Sequence, residues 1–561
     1  MNTLGISCFY HDSSAALLSE GRILAAAQEE RFSREKNTSA FPIQAINYCV
    51  QESKIPFHEL EAVAYFEKPF LKFSRVLIDH LAEFPFSYKG FMRSMPKWLD
   101  QRLSIPMLIE EEIGFTGDVY FIKHHLSHAA SAFFPSGFEE AAILTVDGVG
   151  EWATMSRGLG SGNRIDLNDE IRYPHSLGLL YTTFTVFIGF DANGGEGKTM
   201  GLAAYGEPTY LTALRKIVLV RDDGSFFMDP AYFRYRRGDV MWSRKFEELF
   251  GPPRKHGEEL TQRHRDLAAS VQKLLEEVMI LNARLLQRKT GVTKLCLAGG
   301  VALNCVTNHK ILEETDFREI FIQPAAGDAG GALGAALYVQ HALFDKPRVR
   351  QTHAFLGPAF SDREIEKALL ARRLKFTKCD ESELCAEVAG ALAGSQTVGW
   401  FEGRMEFGPR ALGHRSILAS PCDPKMKDHL NGQIKNRESF RPFAPLVPEA
   451  RAGEYFDLRT PSPYMLLAPR VKSGQLGKIP AVTHADGTSR VQTVDEENHP
   501  RIMKLLREFE KLTGVPMLLN TSFNRKGEPV VCSPAHAVDC FVNTKLDLLV
   551  LGDYLVRKGN L

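Results

Sequence analysis

AAILTVDGVGEWATMS, residues 141–156, reads as a strand, a polar turn and a second strand. Residues 142–146 form an apolar run of buried-strand length, Asp147-Gly148-Val149-Gly150-Glu151 breaks it, and 152–156 resumes it. The same unit occurs near the start of the chain. Residues 4–8 and 15–18 are apolar runs separated by Tyr10-His11-Asp12-Ser13-Ser14, and Glu20-Gly21 turns the chain into a third strand at 23–27. Each unit taken alone is compatible with an ordinary hairpin. Used twice, with an acidic residue at both bends, it argues for a duplicated α/β domain whose turns grip a ligand from two sides. Backbone N–H groups in Gly-rich bends bind anions well.

Working outward, Lys-His-His-Leu-Ser-His at 123–128 places His124 and His128 one helical turn apart, on one face. Asp147 lies at a strand end, where open α/β sheets put ligand groups. Two imidazoles and a carboxylate suit Fe(II), Zn(II) or Mn(II), although the spacing is equally that of a capped helix beside a turn. Residues 266–288 keep apolar positions three to four apart and predict a long amphipathic helix. A strand, Gly299-Gly300 and a helix start at Asn304 follow. Such glycines let backbone approach a ligand, and a helix N-terminus favours phosphate. Phe321 to Gly330 repeats the design and sets Asp328 at the mouth of a cleft, before an Ala/Gly-rich helix at 331–341.

A boundary is expected within 343–356, giving domains 1–350 and 351–561. The second predicts helices at 362–373 and 381–394 and a strand at 397–401. It concentrates arginine at bends: Arg404, Arg410 and Arg415 among three glycines and a proline, then Lys435, Arg437 and Arg441, then Arg490, then Arg525-Lys526. Guanidinium forks match phosphate oxygens, so this half reads as an anion-binding domain.

Composition narrows the class. The 561 residues suffice for two full cores, and 68 basic against 68 acidic residues give no formal net charge. A broad nucleic-acid surface is not expected, nor a membrane span. Nine widely spaced cysteines without CxxC argue against a disulfide framework or a Cys-rich zinc site. Residues 1–9 read as a strand and lack signal-peptide character. A soluble protein of a reducing compartment, the cytoplasm, is the expectation.

The motifs resemble, over nearly the whole chain, the NodU/CmcH-type O-carbamoyltransferases. The carriers are YHDSSAAL (10–17), QEERFS (28–33), HHLSHA (124–129), DGVGE (147–151), GEGKTMGL (195–202), AGGVALN (298–304), GDAG (327–330), GRMEFGPRALG (403–413), RESFRPFAP (437–445) and NTSFN (520–524). The resemblance implies an N-terminal domain of ASKHA type (actin, sugar kinase, Hsp70) and a YrdC-like C-terminal α/β domain. It implies that the second uses ATP, with Mg2+, and carbamoyl phosphate to make carbamoyladenylate. The first then hands the carbamoyl group, at an Fe(II) or similar centre, to a hydroxyl of a small molecule such as a secondary metabolite or glycoside.

On this basis His124, His128, Asp147 and Asp328 are the expected metal ligands. His11, with Asp12 beside it, is the expected catalytic group, since imidazole can take the acceptor's proton near neutrality. Gly299, Gly300 and Asn304 are expected to hold adenosine, with Lys198 and Gly148 near the phosphate. Lys435, Arg441 and Arg490 are expected on the phosphates of ATP and carbamoyl phosphate, with Arg410 and Arg415 as further members. The family pattern has Arg where this chain has Lys526; an ammonium binds phosphate without the fork, and Arg525 is the alternative contact.

Rival readings are a tRNA threonylcarbamoyl-type transferase, a hydrogenase-maturation enzyme, a sugar kinase, and a non-catalytic ATP-binding switch. Balanced charge, domain order, missing Cys motifs and the His pair respectively weigh against the first three, and the His/Asp set against the switch. Residues 66–105 and 225–255, rich in aromatic and arginine residues (Tyr232-Phe233-Arg234-Tyr235-Arg236-Arg237), suit the acceptor, a second subunit of a homodimer, or plain packing about equally.

Overall fold

The computed structural model describes residues 1–236, 240–255 and 257–560. Arg237 lies outside the described residues. The chain is mixed α/β and divides into two compact units. One comprises residues 1–29 and 37–351, the other 30–36 and 352–561.

The first unit holds two five-stranded sheets of one topology. In the first sheet, β1 (Asn2–Ser7), β2 (Ser14–Ser19) and β3 (Arg22–Gln28) form an antiparallel meander, and β4 (Ala62–Tyr65) and β5 (Asp118–Phe121) extend it in parallel beyond β1. In the second, β6 (Glu140–Val146), β7 (Ala153–Ser161) and β8 (Arg164–Arg172) repeat the meander. A short hairpin follows, β9 (Val218–Val220) with β10 (Phe226–Met228). Then β11 (Lys294–Ala298) and β12 (Glu319–Ile322) extend the second sheet in parallel beyond β6. The β1–β2 turn carrying His11 and Asp12 therefore corresponds to the β6–β7 turn carrying Asp147. The helix after β5, His124–Phe133, corresponds to the helix after β12, Ala329–Tyr338.

Those two helices can pack closely because Gly334 has no side chain. A Cβ there would lie 1.8 Å from the Ser127 carbonyl oxygen. The long helix runs from Gln262 to Thr290, closed by Gly291 in the left-handed region. Between β4 and β5 the chain makes a helical excursion: Pro69–Ala82, Tyr88–Lys97, Trp98–Arg102 and Ile105–Ile113.

The second unit is built on one eight-stranded sheet. Its strands are β13 (Thr377–Lys378), β14 (Val398–Phe401), β15 (Arg415–Ala419), β16 (Ala444–Pro448), β17 (Gln492–Val494), β18 (Leu518–Ser522), β19 (Leu548–Leu551) and β20 (Tyr554–Arg557). Their order is β13-β20-β19-β14-β15-β18-β16-β17. Strand alternation feeds two cores. Trp400, Leu418, Leu518 and Val550 pack with Leu384, Val388, Leu505 and Phe509 of helices Glu381–Ala393 and Pro500–Thr513. Phe401, Ile417, Leu519 and Leu551 pack with Ile365, Leu369, Val538 and Phe541 of helices Asp362–Ala371 and Pro534–Val542. Burial on both faces explains why these strands read as continuous apolar runs.

All nine cysteines are free thiols. Among the described residues no helix is long and apolar enough to cross a membrane.

Candidate metal centre and anion cradle

His124 and His128 leave one face of their helix, Asp147 ends β6, and Asp328 precedes the helix Ala329–Tyr338. All four side chains are buried, and one ligand atom from each lies within 4.8 Å of the others. His124 Nε2 is 2.9 Å from Asp147 Oδ2, 3.1 Å from His128 Nε2 and 3.7 Å from Asp328 Oδ1. His128 Nε2 is 3.5 Å from Asp147 and 3.7 Å from Asp328. Bonds of about 2.1 Å to one central cation give ligand–ligand edges of roughly 3.0–3.5 Å. Neither oxygen of Asp328 has a hydrogen-bond partner among the described residues, nor does Nδ1 of His124 or His128. An orphaned buried carboxylate facing two imidazoles and a second carboxylate fits a divalent transition metal.

The electrostatics agree. Burial alone would raise Asp147, but the His124 and His128 bonds outweigh it and hold the carboxyl well below its ordinary range. Asp328 is likewise lowered against its burial, chiefly by the nearby charge of His11 and by His128. His125, on the other side of the helix, bonds Thr145 Oγ1 at 2.8 Å and is driven by burial down to about 3, so it stays neutral.

Glu151, the last residue of the DGVGE turn, caps this arrangement. Lys123 gives no side-chain cap to the histidine helix; the Glu151 carboxylate accepts its first N–H, from His124, at 3.0 and 3.2 Å. It also accepts the N–H of Lys68 at 2.8 Å, at the start of helix Pro69–Ala82. A buried carboxylate at a helix N-terminus is favoured by the helix dipole.

His11 faces the centre from the opposite turn. Its Nδ1 bonds Asp12 Oδ2 at 2.8 Å and its Nε2 lies 3.9 Å from Asp328 Oδ2. Asp12 sits at φ +56°, a left-handed conformation that Asp tolerates, and this turns its carboxylate to His11. Burial lowers His11, yet Asp328 and Asp12 raise it further, to about 9.

Of the expected nucleotide residues, Gly148, Gly299 and Gly300 follow the same strand ends, Asn304 starts helix Cys305–Glu314 and Lys198 lies in helix Glu196–Ala203. Gly299 adopts φ +92°, and a Cβ there would lie 2.2 Å from the Val146 carbonyl oxygen, so only glycine lets β11 close on β6. Gly300 N–H donates to Asp147 Oδ1 at 3.0 Å, and Gly148 O accepts from Ser176 Oγ at 2.7 Å. Asn304 Oδ1 caps helix Cys305–Glu314 through Thr307 N, and its amide pairs with Gln272 at 2.8 and 3.2 Å. Lys198 Nζ lies 3.8 Å from Asp191 and 5.5 Å over the Phe190 ring.

In the second unit burial lowers Arg437 and Arg441; the charges of Arg441 and Arg490 lower Arg437 further, and that of Arg490 lowers Arg441. Arg437 is held by Asn431 Oδ1 at 2.7 Å and lies 4.7 Å over the Phe443 ring. Lys435 is buried against Ser522 and Asn524 and is pushed well below its ordinary value by burial, then by Arg437 and Arg441. Concentrated, desolvated positive charge is a cradle for an anion.

Two expected anion ligands are spent elsewhere. Arg415, fully buried, gives its four terminal N–H groups to the carbonyls of Pro358, Glu402, Gly403 and His414 and stacks 3.6 Å over Phe401; it fastens the loop. Arg525 is ion-paired to Glu528 and to Asp539. Lys526 stands exposed in the turn beyond it, and Arg410 is half-buried on the loop that Arg415 fastens. Glu406 completes that loop, accepting the N–H groups of Leu412, His414 and Arg415 at 2.7, 2.9 and 3.2 Å. The sequence reading assigned no role to Glu151 or Glu406, although each stands inside a quoted motif, and counted Arg437 among the bend arginines without placing it on the phosphates.

Comparison with known proteins follows the same division. The model of the carbamoyltransferase N-terminus matches residues 2–337, and that of the carbamoyltransferase C-terminus matches 389–558. An uncharacterized protein of Synechocystis sp. is 46% identical over 99% of this chain and 96% of its own length. Nodulation protein NolNO of Sinorhizobium fredii is 38% identical over 98% of this chain and 79% of that protein. Among solved structures, the Thermus thermophilus ROK hexokinase aligns with 60% of this chain and 98% of its own at 16% identity, with a TM-score of 0.30, too low to argue from.

Proposed function

The chain belongs to the carbamoyltransferase family and is a carbamoyl-transferring enzyme, and from that premise we propose that it works in two stages. The second unit, YrdC-like in this reading, lets water cleave carbamoyl phosphate to carbamate and orthophosphate, and joins the carbamate oxygen to the α-phosphorus of ATP, releasing pyrophosphate. The first unit, of ASKHA type, then transfers the carbamoyl group to a hydroxyl, releasing AMP. The observation that carries the reading is the convergence of His124, His128, Asp147 and Asp328 opposite His11.

Each residue has a task. Arg437, Arg441 and Arg490 neutralise the phosphates of the two co-substrates, and Lys435, whose ammonium is held by Ser522 and Asn524, braces the cradle from behind. His124, His128, Asp147 and Asp328 would hold a divalent cation, Fe(II) in this reading, which would supply Lewis-acid stabilisation of charge on the carbamoyl oxygen. His11 Nδ1 is engaged by Asp12, so Nε2 is the atom that takes the acceptor's proton once a cation on Asp328 and Asp147 neutralises the charges that otherwise keep His11 protonated.

The acceptor is a hydroxylated small molecule, and the wall nearest His11 suits one. The Tyr10 ring, 39% exposed, lies 4.6 Å from His11 and 5.0 Å from Lys72 Nζ. Lys72 pairs with Glu67 at 2.5 Å, and Asp79 pairs with Arg75 at 3.5 Å and with Arg236 at 3.2 Å. A surface of mutually neutralised charges beside an aromatic face favours polyols over ions.

The test is to incubate metal-reconstituted protein with Mg-ATP and carbamoyl phosphate, without acceptor. Pyrophosphate and carbamoyladenylate are expected; neither forming with folded protein overturns the first stage.

A further inference from the structure

Helix Pro69–Ala82 is inverted. Its buried residues are Pro69, Lys72, Arg75 and Asp79, while Phe70, Leu71, Ile78 and Leu81 face outward, 42–70% exposed. A helix on a water-soluble domain normally buries its apolar stripe. The inward polar face is accounted for by the ion pairs with Glu67 and Arg236; the outward apolar face is not.

Exposed apolar side chains recur along the rest of the excursion between β4 and β5. Among the described residues, ten of the 21 exposed large hydrophobic side chains fall between Phe70 and Met107. Phe70, Leu81, Phe84, Met92, Leu99 and Met107 are each 55–70% exposed. The excursion is a built structure: Phe73 meets Trp98 at 5.6 Å, His80 meets Phe91 at 5.6 Å, and His80 Nε2 is 3.2 Å from Ser94 Oγ. At about 100 Å² per half-exposed large side chain, ten present on the order of 1,000 Å² of apolar surface. The largest patch on a monomer is typically about 300–600 Å². A stable interface takes about 800 Å² from each partner.

The excursion carries both signs of charge. Lys89, Arg93 and Lys97 recur every fourth residue on helix Tyr88–Lys97, and Glu110, Glu111 and Glu112 close helix Ile105–Ile113. A two-fold axis through the patch pairs one copy's basic stripe with the other's acidic cluster, as an isologous interface requires. An anionic lipid surface would be repelled by that acidic cluster.

We propose that the excursion 69–113 is the interface of a homodimer, its apolar face covered by the same face of a second copy. The partner then braces the helix whose inner side carries Lys72, Arg75 and Asp79.

Sedimentation velocity of the full chain, from low to high micromolar, is the test. A species of twice 62.7 kDa is expected. Phe70→Glu combined with Leu99→Glu should raise the dimer dissociation constant by about 100-fold or more. Lys89→Glu with Arg93→Glu and Lys97→Glu should separate the copies, and adding Glu110→Lys, Glu111→Lys and Glu112→Lys should rejoin them. Should a variant misfold by circular dichroism, lysine cross-linking of mixed 14N and 15N wild-type protein decides instead. Inter-copy links through Lys89 or Lys97 are expected. A wild-type monomer at every concentration, a dimer without those links, or a monomer that floats with phosphatidylserine vesicles would each overturn the proposal.

Discussion

Glu151 holds the backbone of His124: its two carboxylate oxygens lie 3.0 and 3.2 Å from the His124 amide nitrogen, and one of them also takes the Lys68 N–H at 2.8 Å. One buried carboxylate thus starts both the helix that carries the candidate metal ligands and the helix that carries Lys72, Arg75 and Asp79. Removing it leaves two helix N-termini unsatisfied. Glu151→Ala is expected to weaken metal binding by about 10–100-fold, the range of a lost supporting contact, while Glu151→Gln retains most of it. Calorimetric titration with Fe(II) or Co(II) reads this without turnover. Equal affinities in all three proteins would reduce Glu151 to a folding role.

The two units predict separable lesions. His128→Ala removes a ligand from the first unit only, so it should abolish carbamoyl transfer to the acceptor and leave acceptor-free pyrophosphate release largely intact. Arg441→Ala should do the reverse, with transfer from supplied carbamoyladenylate surviving. Assaying both half-reactions on both variants checks this; joint loss in either folded variant contradicts the division of labour.

What was legible in the sequence is what is local. The duplicated turns, the His124/His128 spacing and the Gly299-Gly300 bend are set by apolar run length, helical period and the need for φ > 0, all readable within a few residues. Side chains whose partners are remote carbonyls were not. Nothing in the arginine-rich loop distinguishes Arg415, turned inward onto four carbonyls, from Arg441, which joins the cradle. Glu406 gathers the loop's own N–H groups, a role that emerges only when the loop closes. The inverted helix Pro69–Ala82 was hidden for a related reason: period shows which residues share a face, and only the tertiary fold decides which face turns inward.

Gly299 is the tightest point of the strand ends that present Asp147. Gly299→Ala places a methyl group against the Val146 carbonyl and demands φ +92° of an L-residue. A loss of roughly 2–4 kcal/mol is expected, with weaker metal binding because Gly300 N–H can no longer reach Asp147 Oδ1. Urea unfolding and metal titration measure the two effects. A variant as stable as wild type would show that the strand ends can part without cost.

The second unit carries two buried groups whose pH effects run in opposite directions. His499, 5% exposed, is pushed down to about 4 by burial, which the Asp495 charge only partly opposes. Folded, it stays neutral; unfolded, it takes a proton near 6.5. Its contribution to stability is therefore whole above pH 6.5 and is lost as pH falls toward 4, about 2 kcal/mol between pH 7 and pH 5. Glu402 is raised by burial to about 7, and Arg501 at 3.7 Å offsets only part of that. Folded, it binds a proton that the unfolded chain does not hold until near 4.5, so stability rises by about 2 kcal/mol as pH falls over the same interval. His499→Gln should thus make the protein less sensitive to acid between pH 7 and pH 5, and Glu402→Gln more sensitive, each by about 2 kcal/mol. Calorimetric unfolding of the three proteins at pH 7, 6 and 5 reads both signs. Parallel curves for wild type and either variant would mean that the group concerned is hydrated in the folded state.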